Sequence, residues 1–148
     1  MSEITMRRDS RTADLFEIPV PVSRLPGELA MGTQLRSLIS TLLKDSPLSR
    51  YEIAAHMSEL TGEEISKHQL DSWTAESRSG WRFPLEYLPA LEVALESHAL
   101  TQWVGTVRGC KVLVGREAID AEMGKIKKQQ MELARREKAL KKLLEGEL

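Results

Sequence analysis

The sequence has one cysteine, few aromatic residues and no long apolar run, and each shortage excludes a class of protein. A lone Cys110 cannot form an internal disulfide or a cysteine-rich zinc site. No segment approaches the roughly 18 apolar residues that a membrane-spanning helix needs, and the N-terminal stretch lacks the apolar core of a secretory signal. We therefore expect a cytoplasmic protein with no membrane partner.

An excess of charge of one sign is also missing, since 21 Lys and Arg face 22 Asp and Glu and the net charge is -1. This balance excludes a generally basic nucleic-acid coat protein but leaves room for a local basic surface. The sequence contains no Gly-rich phosphate loop, HExxH or GxSxG motif. We predict no enzymatic activity, no cofactor and no metal site.

The 148 residues are enough for one domain with appendages. Residues 1–29 are predicted to form an irregular arm, because helix-breaking residues interrupt every candidate helix there: Pro19, Pro21, Pro26 and Gly27. Arg7, Arg8 and Arg11 in this arm could contact DNA or simply be solvated.

Residues 30–114 are predicted to form an all-α domain. Apolar residues at helical spacing indicate a first helix over about 35–43, which ends at Ser46-Pro47. Capping-box spacing then marks two helix starts, Ser49 with Glu52 and Ser66 with Gln69. The same spacing predicts the buried face of each helix: Ile53, Ala54, Met57 and Leu60 for the second helix, and Leu70 and Trp73 for the third.

The rest of this domain is predicted in less detail. Residues 74–82 indicate a polar loop, and Pro89 is placed in the first turn of the next helix. A short amphipathic helix follows around Leu100, and residues 111–114 fit either a strand or a linker. Trp81, Trp103 and Cys110 are expected to be buried.

Residues 115–148 are predicted to form a coiled-coil helix. Residues spaced alternately by four and three define a heptad seam: Ile119, Met123, Ile126, Gln130, Leu133, Glu137, Leu140 and Leu144. The seam predicts self-association, most simply as a dimer, and Gln130 and Glu137 weaken it. A monomeric helix folded back on its own domain is the alternative.

The second and third helices have the spacing of a helix-turn-helix unit, in which the second helix of the pair enters the major groove of DNA. Side chains near the start of the third helix would then meet base edges, and flanking arginines would meet phosphates. The candidate DNA-binding residues are Arg50, Ser66, Lys67, His68, Gln69, Ser72, Arg78 and Arg82. The helix-start amides of Lys67 and His68 could hold a phosphate as well.

Two observations oppose this interpretation. Residues 44–82 hold five Lys and Arg against seven Asp and Glu, which is the wrong sign for phosphate affinity. Gln69 also has a plain role as a capping-box partner. A small helical domain without a nucleic-acid role is therefore a real alternative.

Three segments resemble a known family: Ser-Arg-Tyr-Glu-Ile-Ala at 49–54, Ser-Lys-His-Gln-Leu-Asp-Ser-Trp-Thr at 66–74, and Arg-Phe-Pro-Leu-Glu-Tyr-Leu-Pro-Ala-Leu at 82–91. They are similar to the CII-like regulatory proteins of temperate phages and prophages. The resemblance implies a helix-turn-helix regulator in a bacterial host that binds double-stranded DNA, oligomerises through C-terminal helices and has RNA polymerase as a further partner. The arm and the heptad tail are additions to that pattern.

These observations lead us to expect a sequence-specific, oligomeric DNA-binding regulator of transcription. The competing hypothesis is a protein-binding adaptor or phage assembly factor, with the helical domain as a docking surface and the coiled coil as a spacer. Steep salt dependence and a requirement for Lys67 would distinguish DNA binding from docking to a protein.

Overall fold

A computed structural model describes residues 21, 24–78 and 80–146 of the chain. Every regular element in these ranges is helical and none is a strand, which confirms the predicted all-α class. The chain divides into two compact units between Lys111 and Val112. Residues 1–20, including Arg7, Arg8 and Arg11 of the predicted arm, lie outside the described ranges.

Six α-helices make up the described structure. Their bounds are α1 Gly32–Asp45, α2 Arg50–Thr61, α3 Lys67–Thr74, α4 Leu88–Leu95, α5 Ala99–Val107 and α6 Arg116–Gly146. Two short 3₁₀ turns, Glu76–Arg78 and Leu85–Tyr87, lie between α3 and α4. Residues 111–114 form no strand, so of the two predictions for them the linker is correct.

Local hydrogen bonds fix the starts of α2 and α3, and both predicted capping boxes are confirmed. The Ser49 hydroxyl accepts from the Glu52 amide at 3.2 Å, and the Glu52 carboxylate accepts from the Ser49 amide at 2.7 Å. That backbone hydrogen bond lowers the pKa of Glu52. Gly62 ends α2 in the left-handed conformation at φ 70°, which favours glycine, so the chain turns sharply toward α3.

The core of the first unit gathers one face from each of α1 to α5. Its fully enclosed side chains are Ile39, Ile53, Met57, Leu70, Leu91, Leu100 and Ser72. Trp73 lies at the end of α3, where two aromatic rings pack against it. The centroid of the Phe83 ring, which meets Trp73 edge-on, lies 5.3 Å from the Trp73 ring centroid, and that of Tyr87 lies 5.8 Å away. Pro89 lies in the first turn of α4, as predicted. The second half of α3 is thereby anchored in the interior.

Three predictions of burial are wrong. Leu60 is 51% exposed because it lies on the outer side of the last turn of α2. The inner side of that turn is taken by Met57 and by the Ser58 hydroxyl, which is hydrogen-bonded to the backbone of Ile65. Trp81 is 51% exposed because Phe83 packs against Trp73 in its place. Cys110 is exposed because it follows α5 where the chain leaves the core. Trp103 is half-buried.

One residue of the predicted arm packs closely against the end of α5. Gly109 has φ 70°, and a Cβ atom added to it would lie 2.6 Å from Cδ of Pro21. Only glycine fits both the backbone conformation and the contact. Further along, residues 25–29 form a turn in which the Glu28 amide donates to the Leu25 carbonyl at 3.2 Å.

The second unit consists mainly of α6, a helix of 31 residues with no buried residue. Its heptad seam is uncovered, and the apolar members are 44% to 67% exposed. None of the described helices is long and apolar enough to cross a membrane.

Candidate nucleic-acid interface

The first turn of α3 is shaped by its own cap. The Ser66 hydroxyl accepts from the Gln69 amide at 3.2 Å, and Oε1 of Gln69 accepts from the Ser66 amide at 2.9 Å. The capping role of Gln69 is therefore observed. Reading adenine bidentately needs the same Oε1 atom, so Gln69 would have to leave the cap in order to contact a base.

Arg50 and Lys67 meet at a single carboxylate. Nη1 of Arg50 lies 2.7 Å from Oδ1 of Asp71, and Nζ of Lys67 lies 2.7 Å from Oδ2. Arg50 also donates to the Thr74 hydroxyl at 3.1 Å. This group of side chains, Arg50, Lys67 and Asp71, is called the Asp71 clasp below, and it joins the start of α2 to the exposed face of α3.

The Asp71 clasp holds its charges firmly. The hydrogen bond from Lys67 lowers the pKa of Asp71, and the bond from Arg50 acts in the same direction. The bond to Asp71 raises the pKa of Lys67 in turn. Both shifts favour the charged forms of Asp71 and Lys67 at neutral pH, and two cations face one anion at a partly exposed surface.

Arg78 returns to α3 from the 3₁₀ turn that follows it. Its Nη1 donates to the Ser72 hydroxyl at 2.7 Å and lies 3.2 Å from Nε2 of His68. A guanidinium only donates hydrogen bonds, so Nε2 of His68 must accept and the ring proton sits on Nδ1. The His68 side chain is exposed.

The expected exposure of Ser72 is wrong, because this side chain is 1% exposed. Its hydroxyl donates to the His68 carbonyl at 2.8 Å and accepts from Arg78. The position faces inward from α3, between Leu70 and Trp73, which are also buried. Ser72 therefore positions Arg78 rather than facing a ligand itself.

The structure thus brings seven of the eight candidate residues together around α3. Arg50 and Lys67 share Asp71, His68 and Ser72 hold Arg78, and Ser66 and Gln69 form the cap. Arg82 is exposed and makes no hydrogen bond or ion pair with any other described residue.

Sequence reasoning missed Tyr51. Its ring is exposed in the first turn of α2, and Nζ of Lys67 lies 5.4 Å from the ring centroid, within the range of a cation–π contact. The available signal was an aromatic residue out of register with the buried positions Ile53, Ala54 and Met57. Such a residue lies on the outer face of its helix.

The turn before α3 carries negative charge. The phenol of Tyr87 donates a short hydrogen bond to the Glu63 carboxylate, which raises the pKa of Tyr87. This bond ties the turn to the residues that precede α4.

Among residues 21, 24–78 and 80–146, no three His, Cys, Asp or Glu side chains are grouped so that they could hold a metal ion.

No protein-family model, curated protein or solved structure matches the chain. The interpretation of this surface therefore depends on its own geometry and charge.

Proposed function

We propose that the chain is a sequence-specific regulator of transcription, of the phage or prophage type, that binds double-stranded DNA as an oligomer. The observation that carries the proposal is the arrangement of α3. Its second half is fixed in the core by Leu70 and Trp73, while its first turn presents Lys67 and His68 beside three partly or fully exposed arginines, Arg50, Arg78 and Arg82.

The size of this helix suits the major groove. An α-helix with its side chains is about 10–12 Å wide, and the groove of B-form DNA is about 12 Å wide. A helix held by its far half can insert its first turn without rearranging the core. Lys67 then has the chemistry to contact guanine or phosphate, and His68 offers a donor at Nδ1, because its Nε2 faces Arg78.

The surrounding groups have the chemistry of phosphate contacts. The first-turn amides of Lys67 and His68 have no acceptor within the helix, and such amides bind anions readily. Arg50 and Arg78 are held by contacts with Asp71 and Ser72, so they lose little side-chain freedom when a phosphate arrives. Arg82 is free to reach a phosphate nearby.

The acidic composition of residues 44–82 is not evenly distributed. Glu52 and Glu63 keep their charge but are held by local hydrogen bonds, Glu52 in the α2 cap and Glu63 by Tyr87. In the contacts made by the side chains of α3, the three cations Arg50, Lys67 and Arg78 meet one anion, Asp71. Binding is expected to be modest for one domain and to depend on a few placed side chains.

Self-association through α6 supplies the remaining affinity in this proposal. The seam residues Ile119, Ile126, Leu133 and Leu140 form an apolar column along a helix about 46 Å long. A second copy of the chain would cover that column, and pairing two DNA-reading domains raises their effective concentration. The resemblance to the CII-like group covers residues 49–91 and not α6, and it adds RNA polymerase to this proposal as a further partner.

Selection of bound fragments from random duplex DNA tests the proposal. We expect one sequence to be enriched, and we expect Lys67→Gln to weaken binding to it by about tenfold, the size of one lost base contact. Lys44→Gln is the matched control, since it removes the same charge from an exposed site at the end of α1. Failure to enrich any sequence at low salt would refute the proposal.

One observation favours the adaptor as a second candidate function. A groove of about 450 Å³ lies between the end of α2 and α4, and its lining includes the exposed Leu60 and Val93 beside Tyr87 and Pro89. An exposed apolar groove is typical of a protein-docking site. If Leu60→Ser with Val93→Ser abolishes regulation of transcription in cells while the same DNA sequence is still enriched, docking to a protein is required in addition to DNA binding. If selection fails with the unaltered chain, the adaptor hypothesis replaces DNA binding.

A further inference from the structure

Five cations lie along one side of α6, and this set is called the basic stripe below: Lys127, Lys128, Arg135, Lys138 and Lys142. At about 100° per residue they fall within an arc of about 100° around the helix. The heptad seam occupies a separate arc, centred about 140° away by the same count. A second copy paired along the seam would therefore leave the basic stripe uncovered.

The cations of the basic stripe form no ion pair with any described residue, unlike three of the other four cations of α6. Lys125 pairs with Glu122 at 3.3 Å, Arg136 with Glu132 at 2.7 Å, and Lys141 with Glu137 at 2.8 Å. Between residues 124 and 144 the only carboxylates are Glu132 and Glu137. Both form their ion pairs with cations outside the stripe, so no stripe cation is paired with a described carboxylate.

The stripe has the shape of a site for an extended anion. It covers 127–142, about 22 Å of helix, and Lys128, Arg135 and Lys142 follow one another at about 10 Å. A small anion needs donors that converge on one point, and these cations are spread along a line instead. A polymer with regularly spaced charges satisfies all of them, and duplex DNA carries one charge per roughly 1.7 Å of its axis.

Other polyanions fit the stripe less well. Single-stranded nucleic acid is held by aromatic side chains that stack on the bases, and α6 contains no aromatic residue. A membrane-surface helix needs its apolar face for insertion, and in the proposed oligomer that face is covered by the second copy. The chemistry of the stripe therefore favours the phosphate backbone of a duplex.

We propose that the basic stripe of α6 is a second DNA contact, which binds the phosphate backbone without reading sequence. This inference rests on the proposed function for the identity of the polyanion. It differs from that function in mechanism, because α3 would supply the choice of sequence and the stripe would supply affinity. Each neutralised phosphate contributes about 0.9 to the slope of log affinity against log salt.

The test compares two triple variants of the full chain on a random-sequence 30-base-pair duplex, by fluorescence anisotropy between 50 and 200 mM salt. The stripe variant carries Lys128→Gln, Arg135→Gln and Lys142→Gln. The matched control carries Lys125→Gln, Arg136→Gln and Lys141→Gln, which removes the same charge from the paired cations. Glutamine preserves helix propensity in both, and circular dichroism and sedimentation check that both variants remain helical and associated.

The stripe variant removes three cations, and each contributes about 0.9 to the slope of log affinity against log salt. We therefore expect that slope to become shallower by about 2.7 for each stripe that contacts the duplex. For one engaged stripe, the affinity of the unaltered chain should therefore fall about 40-fold further across this salt range than that of the stripe variant. The control should keep the original slope. Lys128→Arg with Lys142→Arg in an otherwise unaltered chain conserves the charge and should also keep the original slope.

Three results would overturn the inference. Equal weakening in the two triple variants would show a general effect of net charge, and an unchanged slope in the stripe variant would show no contact. Loss of binding to anionic phosphatidylserine vesicles with DNA binding intact would assign the stripe to a membrane. Selection from random duplex DNA tests α3 separately. If one sequence is enriched but the stripe variant keeps the salt slope of the unaltered chain, only this inference is refuted. If binding depends on the stripe but no sequence is enriched, only the proposed function is refuted.

Discussion

The two units of the chain use their cations in opposite ways. Around α3, Arg50 and Lys67 share Asp71 and Arg78 is held by Ser72, so each charge has a fixed direction before any ligand arrives. On α6, the five cations of the basic stripe form no ion pair with any residue that the structure describes. Fixed charges suit the choice of one ligand over another, whereas uncompensated charges suit affinity for any polyanion.

The same contrast holds for apolar residues. The first unit encloses its apolar side chains around Leu70, Leu91 and Leu100, but α6 exposes its whole seam. The first unit therefore has a core of its own, while the apolar seam of α6 faces water in the single chain and would be covered by the proposed second copy.

The largest effect is expected from breaking the seam of α6. Ile126→Glu with Leu133→Glu places charges in the apolar column and should convert the proposed oligomer to monomers, as measured by sedimentation equilibrium. DNA affinity should fall by about 10²- to 10⁴-fold, the loss expected when two linked sites become independent. Ala118→Glu lies outside the seam and should leave both properties unchanged. Monomers in the unaltered chain would contradict the account.

A matched pair of leucines tests the core of the first unit. Leu70→Ala should lower the free energy of unfolding by about 2–5 kcal/mol, because Leu70 is fully buried. Leu60→Ala removes the same atoms from a side chain that is half exposed and should cost less than about 1 kcal/mol. Chemical denaturation measures both, and equal losses would disprove the burial assigned to these two residues.

Two glycines sharpen the comparison between the units. Gly109→Ala should destabilise the first unit by about 1–3 kcal/mol, since a Cβ would meet Pro21 and φ is 70°. Gly124→Ala in α6 meets open space and should stabilise the helix by about 0.5–1 kcal/mol. Opposite signs in thermal unfolding are expected, and a stabilising Gly109→Ala would argue against the contact with Pro21.

The smallest effect is expected from Asp71→Asn. This substitution tests most directly whether the cations around α3 are held in place by Asp71. Removing the shared carboxylate frees Arg50 and Lys67, so affinity for random duplex DNA should rise about three- to tenfold at low salt. Glu76→Gln removes the same charge from an exposed site and should have a weaker effect. A fall in affinity for Asp71→Asn would mean that the fixed geometry matters more than the charge.

Acid should abolish the contribution of Asp71 to stability. Its pKa is lowered in the folded chain, so the stabilisation is fully present above the usual value of 3.8 and is lost as pH falls through the folded value. At neutral pH, Asp71→Asn should cost about 0.5–1 kcal/mol at this partly exposed site. The difference between the two chains should shrink below pH 3.8 and should be constant between pH 5 and 7.

Local signals explain what could be predicted from the sequence. The starts of α2 and α3 depend on side chains three residues apart, Ser49 with Glu52 and Ser66 with Gln69, so spacing alone identifies them. The fate of Leu60, Trp81 and Cys110 depends on which distant residue covers the same space, and periodicity does not contain that information. The Asp71 clasp joins residues 21 positions apart, so it too required the structure.

The central claim is that α3 selects the DNA sequence and the basic stripe does not. Its most direct test is the ratio of affinities for the selected duplex and a scrambled duplex, measured at one salt concentration for the unaltered chain, Lys67→Gln with His68→Ala, and the stripe variant. We predict that the α3 variant loses most of the ratio, while the stripe variant weakens both affinities and keeps it. A ratio near one in the unaltered chain, or a ratio lost only in the stripe variant, would contradict the account.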